Sequence, residues 1–378
     1  MNAYLNRVKA YIKKEIVMLI SGLLAAVSAA LVPIGPEYIG YIDFRTLGIL
    51  FCLMTVTAGL KNLGVFADIG RKLIAGAGDL RKLTVILVML CFFSSMMITN
   101  DVALITFVPF AVEVLSMSGA FEYMIPVIVL QTLAANAGSM LTPIGNPQNL
   151  FLYTVGRMNL ADFIGIMLPY TLTALAVLLI GCILSSKKLP AAVGDYRVRE
   201  SCKGRKRLIV MYAGLFLISL ASVANIIPFT AAAAITLAAV LILDRGTIAD
   251  VDYSLLLTFV FLFVFIGNMK TLPTVNSLLS RTVNGHELVT SVLMSQLISN
   301  VPAAVLLSGF TENIRVLMVG VNIGGFGTVI ASMASLISFK LYANTDSPKT
   351  GRYMKVFTMW NIVMLLVLTV LACLLIQH

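Results

Sequence analysis

The stretch Ala134–Leu150 constrains the fold of this chain more than any other. It lies within a long apolar segment, yet it contains six polar side chains, two glycines and two prolines. Each proline removes a backbone donor and clashes with the preceding helical turn, so a regular helix cannot pass through. In lipid, irregular backbone is tolerated only where it is buried in protein or lines a wet cavity. The stretch therefore predicts a transmembrane helix that is broken at a polar site.

The composition predicts a membrane protein. The chain has 378 residues, of which 59% are hydrophobic and 12% are charged, whereas an ordinary soluble domain is about 25% charged. Apolar runs long enough to cross a bilayer recur along its length. The net charge of +10 resides in short loops, as membrane topology requires, so nucleic acid is not a predicted partner. We expect an all-α polytopic protein, with the run Ile16–Val32 retained as the first span.

Cysteine and histidine usage excludes several classes of site. The five cysteines show no paired spacing, and His286 and His378 are the only histidines. Neither a disulfide framework nor a metal centre is predicted, and no cofactor is expected. The chain also lacks the His-Glu-x-x-His pattern of metalloproteases. We predict no catalytic residues and no enzymatic activity.

About nine full spans and two re-entrant hairpins are predicted from the hydropathy pattern. The hairpins, 83–113 and 288–310, are apolar at both ends, polar in the middle and too short for two comfortable crossings. The predicted spans are Ile16–Val32, Leu47–Leu60, Phe163–Leu184, Leu208–Val223, Phe229–Leu243, Leu255–Asn268 and Val356–Ile376, together with the broken helices 123–155 and 313–340.

Loop charges predict the orientation. With a cytoplasmic N-terminus and hairpins that return to their own side, the basic loops near Arg71, Arg199 and Arg352 all lie in the cytoplasm. A single crossing at the first hairpin would place the most basic loop outside. We expect an integral protein of a bacterial or archaeal plasma membrane.

An internal repeat relates the two halves. The segment Thr99-Asn100-Asp101 recurs 200 positions later as Ser299-Asn300-Val301, and the segment around Asn136 recurs 186 positions later around Asn322. We predict inverted repeats at 1–186 and 225–378, joined by a basic loop and one span at 187–224. Inverted repeats with broken helices are typical of secondary transporters.

These tips and breaks resemble the ion transporter superfamily, which includes arsenite permeases, sodium–proton antiporters and divalent-anion sodium symporters, and the citrate-transporter-like domain. The resemblance runs from about Asp43 to Lys340. The third tip position departs from the Ser-Asn-Thr pattern, with Asp101 in one copy and Val301 in the other. This form looks closer to the arsenite-permease and antiporter branches. The resemblance implies a homodimer.

The predicted site lies between the hairpin tips and the broken helices. Amides can ligate a cation through oxygen or an anion through N–H, so sodium at Asn100 and Asn300 is one option. Half-helix N-termini attract anions. For any single asparagine an interhelical hydrogen bond is the simpler interpretation, whereas matched asparagines at both tips and both breaks favour a binding function. The candidate residues are Thr99, Asn100, Asp101, Asn136, Gly138, Ser139, Thr142, Gly145, Asn146, Asn149, Ser299, Asn300, Asn322, Gly324, Thr328 and Ser332.

Asp101 is the only carboxylate deep within an apolar run, which makes it a candidate proton carrier or a helix N-cap. Ser139, Thr142 and Thr328 either contact solute or bond to backbone freed by the breaks.

We predict a secondary active transporter, a permease that moves a small anion or a neutral metalloid oxyacid, coupled to protons or sodium. The alternative is a sodium–proton antiporter that uses Asp101. An intramembrane enzyme or a passive channel fits the sequence less well.

Overall fold

A computed structural model of the chain describes residues 15–74, 79–186, 203–345 and 347–376. Within these ranges the protein is all-helical, which confirms the predicted class. The N-terminal basic residues and most of the predicted basic connecting loop lie outside the described residues. In chain order the helices are α1 (Ile16–Leu31), α2 (Glu37–Tyr41), α3 (Phe44–Asn62), α4 (Val65–Ile74), α5 (Leu80–Ser94), α6 (Asn100–Met117), α7 (Met124–Ser139), α8 (Pro147–Val155), α9 (Leu160–Ser185), α10 (Lys203–Val223), α11 (Phe229–Leu243), α12 (Tyr253–Thr271), α13 (Pro273–Val283), α14 (Glu287–Ile298), α15 (Asn300–Ser308), α16 (Ile314–Gly324), α17 (Met333–Ala343) and α18 (Thr350–Ile376).

Six helices of the described ranges are long and apolar enough to cross a bilayer, namely α3, α6, α9, α10, α12 and α18. The predicted spans at α1 and α11 form apolar helices of 16 and 15 residues, which is short for the hydrocarbon core of about 30 Å. One difference concerns α6, the second limb of the first hairpin. It has 18 residues and extends beyond the predicted limit at Glu113, so it is longer than its counterpart α15.

Both hairpins and both broken helices occur where the pattern of polar residues, glycine and proline places them. The first hairpin turns between α5 and α6, and the second turns at Ser299, whose φ is +75°. The first broken helix is interrupted between α7 and α8, and the second between α16 and α17. Pro147 opens α8, where its missing N–H costs no intrahelical bond. The repeat boundaries at 186 and 225 stay a prediction.

Each broken helix packs closely on the first limb of its hairpin through a glycine. A Cβ added to Gly138 of α7 would overlap the carbonyl oxygen of Phe92 on α5. A Cβ added to Gly324 of α16 would lie 2.6 Å from the hydroxyl of Ser295 on α14. Glycine is therefore needed at both positions because the helices approach at backbone distance.

The remaining helices surround these units. Helix α1 runs parallel to α12, since Gly22 faces Phe261 and the Ser28 hydroxyl accepts a hydrogen bond of 3.0 Å from the Asn268 amide. Helix α3 packs against α10 and α11. This arrangement leaves the N-terminal ends of α1 and α12 facing the hairpin tips.

Replacing Gly138 with alanine should destabilise the fold by about 1–3 kcal/mol, because the added methyl group overpacks a site closed by backbone. The midpoint of thermal unfolding in detergent measures the effect. The matched control is Gly214→Ala on α10, where an added Cβ meets nothing within 4 Å. Equal midpoints for the two variants would contradict the close packing of α7 on α5.

Candidate functional site

Four helices that begin at a hairpin tip or at a break, here called half-helices, point their N-terminal ends into one cavity. We call it the tip cavity. Its lining includes the first residue of each half-helix: Asn100 of α6, Pro147 of α8, Asn300 of α15 and Met333 of α17. The volume is about 50 Å³, which is room for about three to five waters or one small ion or oxyacid. The convergence places the positive ends of four helix dipoles around the same space.

Backbone hydrogen bonds hold each hairpin tip to a break. The N–H of Asn100 donates to the carbonyl oxygen of Gly145 at 3.1 Å, and the N–H of Asn300 donates to that of Ala331 at 2.9 Å. The first N–H groups of a helix and the carbonyls of a break both lack intrahelical partners, so each bond satisfies two groups at once. The two bonds occupy equivalent positions of the internal repeat, since Asn300 corresponds to Asn100 and Ala331 corresponds to Gly145.

A second pair of bonds also recurs at aligned positions. The hydroxyl of Thr142 donates to the carbonyl oxygen of Met96 at 2.6 Å. The hydroxyl of Thr328 donates to that of Gln296 at 3.3 Å. Both threonines thus bond to backbone carbonyls near the hairpin tips. Of the two roles that the sequence left open, solute contact and a bond to backbone, these hydrogen bonds correspond to the second.

Asn136 links the first half of the chain to the second. Its side-chain oxygen accepts hydrogen bonds from the amide of Asn100 and from the hydroxyl of Ser332, both at 3.1 Å. Its amide nitrogen donates to the carbonyl oxygen of Gly325 at 3.4 Å. The side chain is 5% exposed, so these bonds account for its polar atoms without a ligand.

Asn322 makes the reciprocal link from the second half to the first. Its side-chain oxygen accepts from the amide of Asn146 at 3.3 Å, and its amide donates to the oxygen of Asn149 at 2.7 Å. The oxygen of Asn146 also caps α8 by accepting from the N–H of Asn149. The amide of Asn146 bonds to Ser139 in addition. The amide network therefore fastens the two broken helices to each other.

The structure separates the sequence-predicted residues into two groups. Five line the tip cavity: Asn100, Asp101, Ser299, Asn300 and Ser332. The other eleven are not among its lining residues: Thr99, Asn136, Gly138, Ser139, Thr142, Gly145, Asn146, Asn149, Asn322, Gly324 and Thr328. Most residues of this second group hold the breaks and tips together through the hydrogen bonds and the close glycine contacts described above.

Sequence reasoning missed several lining residues. Gln148 lines the tip cavity on α8, and Glu15 and Asp252 line it from the N-terminal ends of α1 and α12. The polar stretch that contains Gln148 pointed to it, but it was not chosen as a site residue. Nothing local in the sequence places Glu15 and Asp252 there, because their approach depends on how α1 and α12 pack on the hairpins.

Two residues that line the cavity, Asp101 and Gln148, each have a buried side-chain oxygen without a hydrogen-bond partner, Oδ1 and Oε1 respectively. Gln148 is only 2% exposed. A buried acceptor without a partner costs free energy, so both atoms are suited to ligate a cation or a donor group of a solute.

Carboxylates dominate the charge of the tip cavity. Glu15, Asp101 and Asp252 line it, and no lysine or arginine does so within the described ranges. Asp252 also caps α12 by accepting from the N–H of Leu255 at 3.0 Å. In the described part of the chain, no three histidine, cysteine or acidic side chains are grouped closely enough to hold a metal ion.

Comparisons with known proteins identify the relatives of the chain. Residues 6–315 match the family described as citrate transporter, which confirms the resemblance to the ion transporter superfamily. An uncharacterised transporter of Methanocaldococcus jannaschii is 32% identical over 337 residues, covering 89% of this chain and 91% of the relative. The inner membrane protein YbiR of Escherichia coli is 31% identical over 318 residues, covering 82% and 83%.

A plant protein and a solved structure are also similar. The silicon efflux transporter LSI3 of Oryza sativa subsp. japonica is 32% identical over 139 residues, or 36% of this chain and 28% of that protein. The crystal structure of the Alcanivorax borkumensis YdaH transporter, described as having an unusual topology, aligns with a TM-score of 0.58 at 14% identity. That alignment covers 96% of this chain and 97% of the other, and it establishes likeness of fold.

Replacing Asn322 with alanine should lower the free energy of unfolding by about 1–3 kcal/mol, because the buried side-chain oxygen of Asn149 loses its donor and the Asn146 amide keeps only its bonds to Ser139. Thermal unfolding of the purified protein in detergent measures this loss. Asn300→Ala is the matched control, since that side chain lines the cavity, and its midpoint should fall less. A larger loss for Asn300→Ala would contradict the structural role assigned to Asn322.

Proposed function

This chain belongs to the citrate transporter family and is a membrane transporter, and we propose that it is a secondary active permease for a small oxyacid, coupled to protons or sodium. The observation that carries the proposal is the tip cavity, where four half-helix N-termini meet beside the unpartnered oxygens of Asp101 and Gln148. Such a site offers donors to an oxyacid and acceptors to a coupling ion. Unwound backbone beside half-helices is the usual solute and ion site of secondary transporters.

The charge of the cavity favours a neutral or weakly charged solute. Each helix N-terminus contributes about +0.5 of an elementary charge, so the four at the tips and breaks, together with those of α1 and α12, roughly balance the three carboxylates. A multiply charged anion therefore gains no net attraction unless a proton or a cation neutralises part of the site. A neutral metalloid oxyacid meets no such penalty, and the partial similarity to a silicon efflux transporter supports this solute class.

The charge balance of the cavity also supports the proposed coupling of solute to protons or sodium. Protonation of Asp101, or binding of sodium beside it, removes one negative charge from the cavity and makes room for a solute with anionic character. Solute and cation then bind cooperatively, since each lowers the electrostatic cost of the other. Directional transport follows if the carrier changes its conformation mainly when both are bound or both are absent.

The second candidate is a sodium–proton antiporter, and the unpartnered Oδ1 of Asp101 specifically favours it. In that case one carboxylate would bind sodium and a proton in turn, and no oxyacid would be required. We further propose a homodimer with a cytoplasmic N-terminus. The family resemblance and the loop charges, respectively, support these two features.

Purified protein in proteoliposomes that contain a pH-sensitive dye distinguishes the two functions. Sodium is added alone, and then with a panel of neutral oxyacids, oxyanions and dicarboxylates. We expect no proton flux with sodium alone and a flux with one small oxyacid, which would also identify the solute class. A flux evoked by sodium alone would establish the antiporter instead. Asn300→Ala should abolish either flux, and normal flux in this variant would remove the tip cavity from the transport site.

Replacing Asp101 with asparagine should make transport independent of pH, because the amide resembles the protonated acid and cannot release a proton. In the unsubstituted protein, uptake driven by an inward proton gradient should decline as pH rises, since fewer Asp101 side chains are then protonated. Initial uptake rates at several pH values measure both profiles. Asp162→Asn, at an exposed acid away from the cavity, is the matched control. An unchanged profile in the Asp101 variant would leave this residue as a helix N-cap only.

A further inference from the structure

Three helices each line two separate cavities. Near their N-terminal ends, α8, α12 and α15 line the tip cavity through Gln148, Ser254 and Val301. Toward their C-terminal ends they line a second cavity, the far pocket, through Val155, Lys270 and Val305, among others. The far pocket has a volume of about 290 Å³. Two cavities that share the same three helices lie along one line.

The two cavities together extend over most of a bilayer. Ser254 and Lys270 are sixteen positions apart on α12, which corresponds to about 24 Å along a helix at 1.5 Å per residue. The hydrocarbon core measures about 30 Å. Asp252, at the mouth of the tip cavity, and Lys270, in the far pocket, therefore mark opposite ends of the line.

A cluster of three phenylalanines on α8 and α12, which we call the aromatic septum, lies at positions between or next to the residues that line the two cavities. Phe151 of α8 lies 6.0 Å from Phe259 and 5.6 Å from Phe263 of α12, measured between ring centroids, and the last two rings are 5.9 Å apart. All three side chains are buried, and Phe259 is 0% exposed. Phe259 directly follows Thr258, which lines the tip cavity, while Phe151 and Phe263 line the far pocket.

The far pocket differs from the tip cavity in charge. Lys270, which is exposed, and Asp43 both line it. Asp43 is engaged in capping α3, since its carboxylate accepts from the N–H and the hydroxyl of Thr46. The far pocket therefore has one basic and one acidic side chain in its lining, whereas the charged side chains lining the tip cavity are all acids. A solute with anionic character is therefore repelled less at the far pocket than at the tip cavity.

We propose that the solute crosses the protein along α8, α12 and α15, and that the aromatic septum of Phe151, Phe259 and Phe263 is the gate that separates the far pocket from the tip cavity. The proposal rests on the transport function proposed above and adds its route. A septum of three rings excludes water and ions in this conformation, because none of the rings offers a polar group to them. The far pocket serves as the entry or exit site on the side of Lys270.

Cysteine accessibility in oriented membrane vesicles tests the gate. Ser254→Cys marks the tip cavity and Ser308→Cys marks the far pocket, and a membrane-impermeant cationic methanethiosulfonate is added to right-side-out or inside-out vesicles. We expect Ser254→Cys to react from one side only and Ser308→Cys from the opposite side only. Adding Phe263→Ala should make Ser254→Cys reactive from both sides. Because a minor state of a carrier is populated at about 0.1–10%, the labelling rate from the far side should rise about tenfold or more.

Two further variants keep the test decisive. Phe261→Ala is the matched control, since this ring lies on the same helix but packs against Gly22 of α1, and it should leave labelling one-sided. Phe263→Leu is a milder change that preserves folding if the alanine variant does not, and it should raise labelling from the far side to a smaller extent. The unsubstituted protein gives the background from its native cysteines.

The outcomes separate the gate from the transport function. Reaction of both markers from the same side, or one-sided labelling that survives both Phe263 variants, would overturn the proposed route. Neither result depends on which solute is carried. If labelling behaves as expected while no solute evokes a flux in proteoliposomes, the gate stands and the proposed solute class falls.

Discussion

The need to pair every backbone N–H and C=O group in an apolar interior governs this structure. Two helices are broken and two hairpins turn within largely apolar segments, and each interruption frees groups that lipid cannot satisfy. The protein pairs these interruptions with one another, since the tips at Asn100 and Asn300 donate to carbonyls of the breaks at Gly145 and Ala331. A tip and a break are thus stable only together, which is why the half-helix N-termini meet at one cavity.

The asparagines of the breaks make hydrogen bonds that hold the tips and the breaks together. Asn136 and Asn322 bridge the halves of the chain, and Asn146 and Asn149 complete the network. Their polar side-chain atoms bond to protein, whereas Oδ1 of Asp101 and Oε1 of Gln148, on two residues that line the cavity, have no hydrogen-bond partner. This division separates the groups that hold the broken helices together from the groups that we propose bind the solute and the coupling ion.

The sequence predicted the interruptions well and their surroundings poorly. Proline, glycine and asparagine within an apolar segment are a local signal of a break or a turn. The positions of the hairpins and breaks, and five residues that line the cavity, were predicted from this signal. The roles of the remaining candidates could not be predicted, because the sequence does not distinguish a polar side chain that bonds to backbone at a break from one that binds solute. Glu15 and Asp252 carry no local signal. They approach the site only because α1 runs parallel to α12 and both present their N-terminal ends to the tips.

The departure from symmetry at the third tip position has a physical consequence. The bonds that support the tips recur at aligned positions in both halves, but Asp101 faces the cavity in one half and Val301 in the other. An aspartate at that second position would add a fourth carboxylate to a cavity that Glu15, Asp101 and Asp252 already line, and repulsion among these acids would disfavour their ionisation. With valine there, Asp101 is the acid of one hairpin tip and has no counterpart at the other. The two tips are therefore supported in the same way but differ in charge, and the coupling that we propose through Asp101 is asymmetric between the two halves of the chain.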